Sequence, residues 1–146
     1  MANKVFEIAD GIVDLINNTA GSSGFSKPVN ATRDVLPSMR LSHTNDDVLV
    51  SVVPRSFELS QATRVSRLKR YSVDVGVMKR AQQQEDLNVF VEELVDLTNE
   101  IRETLSDESM GGATFIAATI DPIYSAEHLK QQRLFLSIIR LEYGSL

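Results

Sequence analysis

The chain has 146 residues, of which 15 are basic and 20 acidic, giving a formal charge of −5, and it contains no cysteine. That length suits one domain burying roughly 70% of the surface its unfolded chain exposes, while the missing thiols exclude a disulfide framework, a thiolate zinc site and a cysteine nucleophile. The acidic balance argues against tight nonspecific binding to duplex DNA, whose affinity comes from neutralising many phosphates.

Met1 to Phe6 is followed by Glu7 and Asp10, where a signal peptide needs an uninterrupted apolar core. No apolar run approaches the roughly 20 residues of a membrane-spanning helix, since Ser137 and Arg140 interrupt Leu134 to Leu141. A soluble protein is expected.

Val5, Ile8, Ala9, Ile12, Leu15 and Ile16 recur at three- and four-residue intervals and predict an amphipathic helix. The cluster from Asn17 to Gly24 predicts its end. Phe25 to Leu41 reads as extended, with Pro28 and Pro37 favouring an edge position and a strand at about Val29 to Leu36. The β-branched run Val48 to Val53 predicts a buried strand closed by Pro54, and Arg55 to Val65 reads as a loop with a short strand. In the stretch from Arg70 to Lys79, Tyr71, Val73, Val75 and Val77 share one face, so one side packs on a core.

Helical spacing returns with Leu87, Phe90, Val91, Leu94, Thr98, Ile101 and Leu105. Gly111 and Gly112 follow, then a strand over Thr114 to Ile120, a long connection from Asp121 to Gln132, and a last strand over Arg133 to Tyr143. The pattern predicts a single α+β domain over residues 1–146, with two main helices on one face of a mostly antiparallel sheet, in the order α-β-β-β-β-α-β-β.

Catalytic chemistry is not legible. His43 and His128 stand far apart in polar connections without ligand spacing, and read as solvated. There is no Gly-x-Ser-x-Gly elbow, and Gly21-Ser22-Ser23-Gly24 follows a helix with no lysine after it, unlike a phosphate loop. Neither an enzyme, a cofactor nor a metal is expected.

Three features read as contact surfaces instead. Glu92, Asp96 and Glu100 form a four-residue-spaced acidic ridge, although a solvated helix face accounts for them as well. Arg64, Arg67, Lys69 and Arg70 concentrate positive charge, with strand alternation dividing them between two faces; edge protection against aggregation is the competing account. In the last strand Leu134, Leu136 and Ile138 oppose Phe135, Ile139, Leu141 and Tyr143, so both faces are apolar and a subunit contact is favoured over burial within one chain.

The order of elements, the Val52-Val53-Pro54 strand end, the stretch Tyr71-Ser72-Val73-Asp74-Val75-Gly76-Val77-Met78-Lys79-Arg80 and the Leu87 to Leu105 helix together resemble small tailed-bacteriophage proteins of the tail-terminator and head–tail-joining group. The resemblance spans almost the whole chain. It implies a non-enzymatic virion protein of the tail or neck, assembled as a ring, typically a hexamer, that caps the tail tube and docks the head connector. DNA would pass through the channel without specific binding. The implied partners are other copies of the chain, the tail tube protein and the connector or neck protein. A head-completion adaptor joining portal to tail is the nearest alternative, and a small cytoplasmic binding module or chaperone using the acidic helix face is one of another class.

Overall fold

Apolar residues at three- and four-residue spacing fold into α1 (Lys4–Gly21) and α2 (Leu87–Leu105), and the alternating stretches into β1 (Val29–Arg33), β2 (Val48–Gln61), β3 (Arg67–Arg80), β4 (Thr114–Ile120) and β5 (Leu134–Ser145). A short α3 (Ala126–Gln132) lies between β4 and β5. The computed structural model describes residues 4–35, 48–61, 67–82 and 86–145.

The five strands form one sheet in the order β1-β2-β3-β5-β4. β1 runs parallel to β2 and every other pair is antiparallel, so the class is α+β with a mixed, mostly antiparallel sheet. α1 lies over β1 and β2, and α2 over β5, on the same face. That face carries the core: Val50, Val52, Val73, Val75 and Val77 meet Ile8, Ile12 and Ile16 from α1 and Leu94, Leu97, Ile101 and Leu105 from α2. Each such side chain contributes roughly 1.5–3 kcal/mol when taken out of water. Edge-to-face ring pairs extend the core, Phe90 with Phe135 at 6.5 Å and Phe115 with Tyr143 at 6.0 Å between centroids.

α2 and β4 have the predicted bounds. Elsewhere the differences have local causes. α1 continues past Asn17 to Gly21 because tertiary contacts engage the polar side chains of its last turns. Asn17 Nδ2 donates to Ala31 O and its Oδ1 accepts from Ala31 N, both at 2.9 Å, so the amide pairs with β1 as a neighbouring strand would. Thr19 Oγ1 donates back to Leu15 O. β1 is shorter than predicted, and its edge position agrees with the reading of Pro28. Residues from Leu36 to Asp47, including Pro37 and His43, lie outside the described residues.

Pro54 does not end β2. Val48 N donates to Pro28 O and Val52 O accepts from Asp34 N, so every second residue of β2 points its backbone groups to the outer side. By that alternation the donor Pro54 lacks would lie on the outer side, past the end of β1, and costs no bond to β3. A bulge at Arg55 follows, and β2 then runs paired with β3 to Gln61 in place of the predicted loop. The connection after Asp121 contains α3, started by Ser125, whose hydroxyl accepts from His128 N.

Candidate functional site

The structure separates the residues read as contact surfaces. Phe135, Ile139, Leu141 and Tyr143 are fully buried in the chain's own core beneath the helices. They are therefore corrected from interface to core: β5 is the fourth strand of five, and its odd-numbered residues share the face of Tyr71, Val73 and Val75. Of the opposite face, Leu134 is also buried and Leu136 and Ile138 are half-buried.

Glu100 is engaged within the chain, accepting from Ser26 N at 2.8 Å and Ser26 Oγ at 2.7 Å. Glu92 and Asp96 remain exposed on α2, beside Glu93, which pairs with Lys27 at 2.9 Å. In the basic cluster, Arg64 lies outside the described residues, and Arg67 opens β3 with its side chain outside them. Lys69 is exposed on the helix side and Arg70 half-buried on the other, so alternation does divide the charge. His128 is not simply solvated: it is half-buried, with Nδ1 and Ser125 Oγ sharing a hydrogen bond of 2.7 Å.

The face of the sheet opposite α1 and α2 holds a band of charge near the hairpin. Asp74 lies 3.2 Å from Arg140 Nε and 4.0 Å from Arg55. Burial pushes its carboxyl above the usual carboxylate range, against the pull of Arg55. Below this band the face turns apolar with Leu49, Met78, Leu134 and Leu136. Between α2 and the β4 side of the sheet lies a cavity of about 310 Å³, lined by Val95, Asp96, Asn99, Ile120, Ile123 and Ser137 among others. Among the described residues no group of three His, Asp or Glu side chains converges to hold a metal ion, and no helix is long and apolar enough to cross a membrane.

Apart from Phe6 on α1, Val35 after β1 and Val89 on α2, the exposed large apolar residues fall at the two lateral edges of the sheet. On one edge, β2 beyond Val53 has no outer neighbour among the described residues, and Phe57 and Leu59 there are 52% and 48% exposed. On the other, β4 ends the sheet and carries Ile116 at 42% exposure, followed by exposed Ile123 and Tyr124. β4 reads Thr-Phe-Ile-Ala-Ala-Thr-Ile, with neither charge nor proline, the devices that usually protect an edge; only the bulge at Ile116 interrupts it. Sequence reasoning missed both edges. The lack of charge in β4 was visible, but that β4 and the second half of β2 are edges follows only from the strand order.

No protein-family model matches the chain, and no curated protein matches it.

Proposed function

We propose that this protein is a structural subunit of a tailed-bacteriophage virion, of the tail-terminator kind, which assembles head to tail into a ring that caps the tail tube and presents a docking surface to the head connector. One observation carries the reading: among the described residues a single sheet displays two differently built open edges on opposite sides, β2 from Val53 to Gln61 and β4 from Thr114 to Ile120. A subunit whose two contact surfaces differ and lie on opposite sides assembles heterologously, and such contacts close into rings when the rotation per copy allows it. The resemblance to this group rests on the order of elements, the stretch from Tyr71 to Arg80 and the Leu87 to Leu105 helix; the Val52-Val53-Pro54 strand end on which it also drew is not a strand end, since β2 runs on to Gln61.

In this reading the exposed Ile123 and Tyr124 and the acidic residues Glu92 and Asp96 are available to the tail tube or the connector. Native mass spectrometry across a concentration series at two salt levels tests it. A closed oligomer of one stoichiometry, typically six, is the expected result; a monomer at every concentration, with no capping of added tail tubes, overturns the reading.

A further inference from the structure

We propose that the contact between copies is a shared sheet, in which β4 of one copy adds antiparallel to the outer edge of β2 of the next; this rests on the ring reading above. The polarity follows from the topology. β2 and β5 are both antiparallel to β3, and β4 is antiparallel to β5, so β4 is antiparallel to β2. Placing copies side by side with the same face outward therefore brings two antiparallel edges together, the pairing that needs no crossover.

The register is restricted by what already occupies the edge. β1 fills the outer side of β2 up to Val52, where Asp34 N makes the last bond among the described residues. Beyond β4, the chain stays bonded to β5 as far as Ser125, whose N–H donates to Leu136 O. The neighbour clears β1 only when stepped about four residues toward the hairpin tip, and the step must be even because an odd one would exchange the two faces. After this step Ile120 stands opposite Phe57 and Ala118 opposite Leu59 on the helix side, while Thr119 stands opposite Glu58 on the other side.

Backbone directions agree with that pairing. Val52 points its backbone groups outward and Arg55 is the extra residue of the bulge, so past it the outward residues are Phe57 and Leu59. Asp121 N points inward to Ile138 O, so Ile120 and Ala118 point outward. Two pairs of outward-facing residues thus meet, and the exposed parts of Leu59 and of Phe57, whose ring already lies 5.2 Å from that of Tyr71, gain further apolar neighbours. The step is ~13 Å along the strands for a repeat of four strand columns, ~19 Å wide, which inclines the strands by roughly 35°, as in closed barrels. That inclination is one with which a sheet can close on itself.

Because the chain has no cysteine, introduced thiols are its only ones. Thr119 opposite Glu58 would be a non-hydrogen-bonded pair, whose Cα separation of about 4.5 Å is within disulfide range. Glu58→Cys and Thr119→Cys, both at exposed positions, are purified separately, mixed and oxidised. Disulfide-linked heterodimers should form in the mixture and not in either variant alone, and the double variant should give a ladder ending at the ring size. In the unaltered protein, hydrogen exchange at the amides of Phe57, Leu59, Ala118 and Ile120 should slow at least tenfold on assembly. A ring without the mixed disulfide and without that protection overturns the shared sheet alone, as do homodimers of Glu58→Cys. A protein that stays monomeric at every concentration and does not cap added tail tubes overturns the ring reading and this contact together.

Discussion

Tyr143 is fully buried, and its hydroxyl has no hydrogen-bond partner among the described residues. Burial, with Glu108 nearby, holds its ionisation above the ordinary tyrosine range. An unmade buried hydrogen bond costs about 1–3 kcal/mol, so Tyr143→Phe should leave stability unchanged or raise it by about 1 kcal/mol; a lower urea midpoint would reveal a missed partner. Asp74 gives a pH signature instead. Its folded-state pKa is raised, so its contribution is fully present below the unfolded value and is lost as pH rises through the folded one. Compared with Asp74→Asn, the wild type should gain relative stability as pH falls from 7 toward 4. Urea midpoints at those two pH values decide it, and parallel shifts of the two proteins would sink the claim. At Gly111 the backbone has φ +56°, and an added Cβ would sit 3.3 Å from both Ile8 N and Ile8 Cγ1. Gly111→Ala should cost about 1–2 kcal/mol through the left-handed conformation alone, read as a lower thermal midpoint.

The helices depend on their caps and on the faces they bury. Asp86 opens α2 by accepting from Asn88 N at 2.9 Å, and Asp86→Ala should destabilise the protein by about 1 kcal/mol. Leu94→Ala removes a fully buried side chain from the middle of the same helix and should cost about 2–5 kcal/mol. Chemical denaturation separates the two, and equal costs would mean that α2 is held by its ends rather than by packing. α2 was legible because its cap, apolar stripe and length agree. α1 was legible only in part: Asn17 reads as a helix stop until the fold brings Ala31 within reach of its side-chain amide. α3 went unread because seven residues carry too little periodicity, with one buried residue, Leu129.

At the scale of the molecule, strand order determines what each apolar residue is for. Phe135, Ile139, Leu141 and Tyr143 look like a free second face when β5 is considered alone, yet its place between β3 and β4 under the helices makes them core. Phe57 and Leu59, by contrast, look like fragments of a loop and stand on an open edge. If that edge is where copies join, a charge placed there should weaken assembly and spare the fold, because edge charges oppose strand addition. Leu59→Lys is expected to lower the ring population at least tenfold in native mass spectrometry with the thermal midpoint of the monomer little changed. A ring of unchanged population would remove β2 from the contact.

The local pattern of the chain was enough to determine the helices α1 and α2, the inward face of β3, the strand β4 and the α+β class, because each depends on apolar spacing within a single segment. Tertiary structure alone decided the passage of β2 through Pro54, the length of α1, the burial of β5 and the identity of the open edges. Those depend on which strands become neighbours, and a donor missing at Pro54 or an apolar side chain at Phe57 has no meaning until the other side of the strand is known to be filled or empty.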